Sequence, residues 1–66
     1  MTNPIEQALA IVSDRGDKLR QTDLDDITLL MAEVPLAQSE AVGHVMGAVA
    51  LIVNDPEYAG DIEPFD

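Results

Sequence analysis

Apolar residues recur at helical intervals over the first twelve residues of the chain, and they predict an amphipathic helix. The repeating positions are Ile5, Ala8, Leu9 and Val12, with Leu19 on the same side two turns later. Asn3 is a favourable N-cap, Pro4 suits the first helical position, and Glu6 gives a spacing like that of a capping box. We therefore expect the first helix to begin at Pro4.

The end of this helix depends on how Gly16 is interpreted. A glycine here either ends the helix or lies within it and permits close packing. Asp14 and Lys18 stand in the favourable i, i+4 order, and the three basic residues (Arg15, Lys18 and Arg20) share one short window, as the C-terminal end of a helix favours. The pattern favours continuation, and it predicts a helix over 4–20.

A second helix is predicted over 22–34. Its apolar stripe consists of Leu24, Ile27, Leu30, Met31 and Val34. Thr22 is the expected N-cap, and the macrodipole explains the cluster of Asp23, Asp25 and Asp26 in the first turn. Pro35 ends the helix because the residue before a proline is disfavoured in the α region.

A third helix is predicted over 36–54, beginning near Pro35 or Ser39 and closing before Asp55-Pro56. The segment 41–53 contains no Asp, Glu, Lys or Arg. A helix that is apolar nearly all round needs burial on most sides, and two short helices cover about two thirds of it. We therefore expect the third helix to be central, with its remaining surface against another chain.

Gly43 and Gly47, four residues apart, would let two helix backbones approach closely. This contact lies either between two copies of the chain or within one chain, and the incomplete coverage of the third helix favours two copies. The predicted homodimer interface comprises Val42, Gly43, Met46, Gly47 and Ala50. The uncharged run is shorter than the roughly 20 residues of a membrane span, so no membrane contact is expected.

Composition narrows the classes of function. The chain has 66 residues, a net charge of −10 and no cysteine. A domain of this size buries only about 60% of its unfolded surface, and oligomerisation or a metal would add stability where disulfides are absent. The charge argues against direct binding to nucleic acid or to anionic lipid. The N-terminus lacks a basic region typical of signal peptides, which favours a cytoplasmic location.

The segment 55–66 has no helical or strand period and is predicted to be an irregular acidic tail beside a helical domain over 1–54. Its "GDIEPFD" resembles the acidic tip of bacterial single-stranded-DNA-binding proteins, although Glu63 interrupts the Ile-Pro pair and Asp66 follows Phe65. That resemblance implies an anchoring side chain that docks in a basic groove. The residues predicted to bind a partner are Tyr58, Asp61, Ile62, Glu63 and Phe65. Alternatively, Phe65 folds back onto the core of its own chain.

The same segment partly matches an EF-hand calcium loop. Asp55, Glu57, Asp61 and Glu63 occupy positions where such a loop carries oxygen donors, with Gly60 at the turn. However, an alanine stands at the fifth position, and Asp66 replaces the long bidentate glutamate. Calcium binding is therefore a minor alternative, and no cofactor is predicted.

No nucleophile, base and orienting group can be assembled from the sequence, so enzymatic activity is not expected. His44 is interpreted as a polar-tipped residue at a helix or dimer boundary. The sequence favours an all-α, non-enzymatic interaction module, a regulator or inhibitor that binds a basic, nucleic-acid-binding surface, as some virus-encoded inhibitors do. The alternatives are an assembly subunit that another protein completes, and a surface whose acidity serves solubility in high salt.

Overall fold

The computed structural model describes residues 3–64 and shows three α-helices without a strand among them. The helices are α1 (Pro4–Arg15), α2 (Gln21–Ala32) and α3 (Ser39–Val53). Short 3₁₀ turns at Gly16–Lys18 and Leu36–Gln38 connect them. The predicted all-α class with three helices is confirmed.

The N-terminus of α1 follows the local sequence signals. Asn3 accepts a hydrogen bond through Oδ1 from the amide of Glu6 at 2.8 Å, and Pro4 is the first helical residue. The prediction that the helix continues to residue 20 was wrong. Gly16 adopts φ 55° and ψ −128°, a backbone conformation that favours glycine, and the helix ends at Arg15. An exposed i, i+4 ion pair contributes only about 0.2–0.5 kcal/mol and does not override this turn.

The N-terminus of α2 is capped differently from the prediction. Arg20, not Thr22, occupies the N-cap position, and the Asp23 carboxylate accepts a hydrogen bond from the Arg20 amide at 3.0 Å. The helix ends at Ala32, two residues before the predicted end. The third helix begins at Ser39, the later of the two predicted starts and three residues after the start of the range 36–54, because residues 36–38 form a 3₁₀ turn.

A single hydrophobic core joins all three helices. Its buried members are Ala8, Val12, Leu19, Leu24, Ile27, Met31, Val45, Val49, Val53 and Ile62. The helix that packs on both of the others is α1, so the expectation that the third helix is central was wrong. Because α3 packs mainly on α1 and the 3₁₀ turns, a large part of its circumference is left uncovered.

Candidate interaction surfaces

The side of α3 that points away from the core forms an exposed surface, here called the α3 outer face. It comprises Glu40, Gly43, His44, Gly47 and Leu51, all of which are exposed. Leu51 retains 78% of its accessible surface. A Cβ atom added to either glycine would meet no atom within 4 Å. The two glycines therefore make no close contact within the chain, and the intramolecular alternative is not what the structure shows.

The residues predicted to form a dimer interface divide between two sides of α3. Gly43 and Gly47 lie on the α3 outer face, whereas Val42 and Met46 are partly buried and pack against the core. Ala50 is half-buried between the two sides. The division follows from helix geometry, since successive residues turn by about 100° and the buried side is set by Val45, Val49 and Val53.

The hydropathy of this region extends further than the uncharged run. The 18 residues Leu36–Val53 have a mean hydropathy of 1.5, and only 17% of them are buried. Such a segment is about 27 Å long as a helix, close to the roughly 30 Å hydrocarbon core of a bilayer. By length and composition alone it could span a membrane, so the argument from the shorter run does not exclude a span. A core helix of a water-soluble protein can pass the same test.

The residues after α3 return to the connection between α1 and α2 and bind it. The amide of Ala59 donates to the carbonyl oxygen of Asp17 at 2.8 Å. The Tyr58 hydroxyl donates to the carbonyl oxygen of Leu19 and accepts from the amide of Ile62 at 3.0 Å. Ile62 is 5% exposed and belongs to the core. We call residues 58–62 with these contacts the tail lock.

Asp61, also part of the tail lock, binds the start of α2. Its Oδ1 accepts a hydrogen bond from the amide of Gln21 at 2.7 Å, at a helix N-terminus where a carboxylate is favoured. Gly60 lies so close to the Tyr58 ring and to the Leu19 carbonyl oxygen that a Cβ at this position would overlap both. The fold therefore requires a glycine at this point.

The predicted partner-binding residues are thus placed differently from one another. Ile62 is buried and Tyr58 is half-buried, so neither projects as a free anchor in this conformation. Asp61 and Glu63 are exposed, while Phe65 lies outside the described residues. The sequence offered little sign of the tail lock, because an irregular segment carries no periodicity and its hydrogen bonds join residues about 40 positions apart.

Asp23 binds two of the three basic residues of the chain. Its Oδ2 lies 3.1 Å from Nε of Arg20 and 3.4 Å from Nε of Arg15, and its side chain is 7% exposed. The hydrogen bond from the Arg20 side chain is the main cause that lowers the pKa of Asp23, against the opposing effect of burial. Sequence reasoning assigned Asp23 to the helix dipole and missed this cluster. Apart from Asp23, all acids in residues 3–64 are exposed.

An open groove lies between α1 and α2. It has a volume of about 400 Å³ and is lined by Gln7, Ile11, Asp26, Leu29, Leu30 and Glu33. Leu29 is 70% exposed. This groove was not predicted from the sequence, because Leu29 is not part of the apolar stripe that defined the helix. We call it the α1–α2 groove.

The carboxylates of the calcium-like segment do not converge in the part of the segment that the structure describes. Asp55 accepts a hydrogen bond from the amide of Glu57 at 2.8 Å, and Asp61 is directed to α2. Within residues 3–64, no three His, Cys, Asp or Glu side chains lie close enough together to hold a metal ion. Asp66, the last position of the predicted loop, lies outside the described residues.

No protein-family model matches the chain, and neither a curated protein nor a solved structure matches it. The physical properties of these surfaces are therefore the basis for assigning a function.

Proposed function

We propose that the protein is a non-enzymatic interaction module that forms a homodimer through the α3 outer face and presents its acidic surface to a basic partner protein. The observation that carries the proposal is the α3 outer face itself. Leu51 on this face is 78% exposed, and a Cβ at Gly43 or Gly47 would meet no atom of the chain. The helix has no charged residue from 41 to 53. In a chain with a net charge of −10, this is a surface where two copies can meet without strong repulsion.

The α3 outer face is self-complementary in an antiparallel arrangement. If a two-fold axis passes through Gly47, Leu51 of one protomer meets Gly43 of the other, because each lies four residues from Gly47. A large side chain then fills the space above a glycine, and symmetry creates this contact twice. The same register places Glu40 opposite the neutral Asn54.

A parallel arrangement fits less well. It would place Glu40 against Glu40 and Leu51 against Leu51, with open space left at each glycine, so the antiparallel pair is the proposed geometry. The buried side of α3 argues against a membrane span. Val45, Val49 and Val53 are buried in the core, and a span would remove them from their contacts with the rest of the chain.

The proposed regulator acts through charge. All acids of residues 3–64 other than Asp23 are exposed, and two of the three basic residues already bind Asp23. A surface of this kind attracts a cationic partner over long range and competes for it with nucleic acid. We therefore propose a small acidic regulator or inhibitor that occupies a nucleic-acid-binding surface.

Cysteine cross-linking tests the dimer, because the chain has no native cysteine. We expect a mixture of Gly43→Cys and Leu51→Cys chains to form a disulfide-linked dimer on mild oxidation. Gly43→Cys alone should cross-link poorly, since the two copies of residue 43 are separated by about 12 Å along the antiparallel helices. Equal cross-linking of both samples would contradict the antiparallel register.

A matched pair of leucine substitutions tests the contact at Gly47. Gly47→Leu should give a folded monomer, because the position has open space within one chain but none at a close helix pair. Ala10→Leu, at an exposed position of α1, should leave the dimer intact. A wild-type chain that is monomeric alone and dimerises only with a second protein would instead identify an assembly subunit.

A further inference from the structure

We propose that the α1–α2 groove binds a cationic amphipathic helix of the basic partner. This inference rests on the proposed function and specifies the contact that the partner makes. The groove lining combines apolar and acidic side chains: Ile11, Leu29 and Leu30 are apolar, Asp26 and Glu33 are acidic, and Gln7 is neutral and polar. None of the lining residues belongs to α3, so the groove and the α3 outer face can be occupied at the same time.

The spacing of the groove residues determines the pattern that an occupant must carry. Asp26 and Glu33 are seven residues apart, which is about two helical turns or 10.5 Å along α2. Leu29 and Leu30 lie between them. A helix aligned with α2 therefore matches the groove when two lysines or arginines seven positions apart flank a pair of apolar residues. Grooves that bind amphipathic helices recognise side chains at such intervals.

The requirements of the groove are not met within the described part of the chain. Among residues 3–64, no lysine or arginine lies within ion-pair distance of Asp26 or Glu33, and Arg20, which pairs with Asp23, attracts Asp26 only from a longer distance. Leu29 lines the groove and remains 70% exposed. A cationic helix would cover Leu29 and neutralise both carboxylates, whereas a neutral apolar segment would leave the acids without partners.

The volume of the groove also suits side chains from a single helix. An open groove of about 400 Å³ lies at the lower end of the range for ligand clefts, which is about 300–1,000 Å³. It is suited to a few side chains from one helix rather than to an extended protein surface. The predicted occupant is therefore one helix with a short recognition pattern.

The probe is a fluorescein-labelled peptide with the pattern cation–x–x–apolar–apolar–x–x–cation, measured by fluorescence polarisation with the full chain. The comparison peptide has the same composition in a scrambled order that is not amphipathic. We expect the patterned peptide to bind at least about tenfold more tightly than the scrambled one, because only the former buries apolar side chains while it pairs both carboxylates. Its affinity should fall as salt is raised.

Two groove variants and two matched controls locate the binding site. Leu29→Ser should weaken the patterned peptide about tenfold or more, whereas Leu36→Ser, which alters another exposed leucine, should not. Asp26→Asn combined with Glu33→Gln should weaken it about three- to tenfold. Asp14→Asn combined with Glu57→Gln, which removes the same charge elsewhere, should have a smaller effect. Unchanged melting curves confirm that each variant is folded.

The outcomes separate the groove from the proposed function. If both peptides bind equally and the groove variants behave like their controls, the groove proposal is overturned while a basic partner remains supported. If neither peptide binds at low salt, both the groove proposal and the proposed basic partner are overturned. Loss of binding in Gly47→Leu but not in Leu29→Ser would place the peptide on the α3 outer face and would also overturn the groove proposal.

Discussion

The substitution Gly60→Ala tests whether the segment after α3 is part of the folded core. The added methyl group would overlap the Leu19 carbonyl oxygen and the ring of Tyr58. The tyrosine cannot simply rotate away, because its hydroxyl bonds to Leu19 and to the amide of Ile62. The carbonyl oxygen belongs to the backbone that leads into α2. Relief of the overlap must therefore displace the tail lock or the α1–α2 connection.

The magnitude follows from the kind of overlap. An extra methyl group in a closely packed site costs about 1–3 kcal/mol. Proteins have a free energy of unfolding of about 0.05–0.15 kcal/mol per residue, which for this chain corresponds to about 3–10 kcal/mol. In a domain of this size, each kcal/mol corresponds to about 4–8 °C in melting temperature. We therefore expect Gly60→Ala to lower the melting temperature by at least about 4 °C.

The assay is thermal unfolding followed by circular dichroism, in a Gly47→Leu background so that dimerisation does not affect the comparison. Gly43→Ala is the matched control, since its methyl group enters open space within a helix. This control should raise stability by about 0.5–1 kcal/mol, because alanine is the better helix former. If Gly60→Ala melts at the temperature of its parent or above it, the described contacts of the tail lock do not stabilise the fold.

Three further predictions concern the same core. Tyr58→Phe removes one hydroxyl that both donates and accepts a hydrogen bond, and it should cost about 1–3 kcal/mol in urea unfolding; a loss near zero would show that the hydroxyl is dispensable. Ile62→Ala should lower the free energy of unfolding by about 2–5 kcal/mol because the side chain is buried. Glu63→Ala, at the exposed neighbouring position, should have little effect. Equal effects of the two substitutions would contradict the burial of Ile62. Asp23 has a lowered pKa in the folded state, so its contribution to stability is present above its unfolded value of about 3.9 and is lost as the pH falls further. Asp23→Asn should therefore lower the melting temperature at pH 7 and reduce its decline below about pH 4, and a decline as steep as that of the unsubstituted chain would contradict the role of Asp23.

The features that were predicted correctly depend on local interactions. The start of α1 follows from Asn3 and Pro4, whose effects act within one helical turn. The apolar repeat of α2 identifies most of its buried residues, because side chains at helical spacing lie on one side of the helix. The end of α1 was missed because an i, i+4 pair and a cluster of cations suggested continuation, whereas the positive φ of Gly16 ends the helix.

The contacts that the sequence did not reveal are long-range. Tyr58 bonds to a carbonyl oxygen 39 residues away, and Asp61 bonds to an amide 40 residues away. No periodicity along the chain encodes such a partner. The α1–α2 groove was missed because it depends on how two helices are placed relative to each other. By contrast, the exposure of Gly43 and Gly47 was anticipated, because two short helices cannot surround a third.

Light scattering of the purified chain, at micromolar concentration in low and in molar salt, gives its solution mass and decides whether a homodimer forms. Burial of the α3 outer face, which carries one acid (Glu40) and is otherwise uncharged, predicts twice the chain mass of 7.1 kDa at both salt concentrations. The dimer should be at least as stable in high salt, where repulsion between the two acidic chains is screened. A mass of one chain under both conditions would contradict the homodimer.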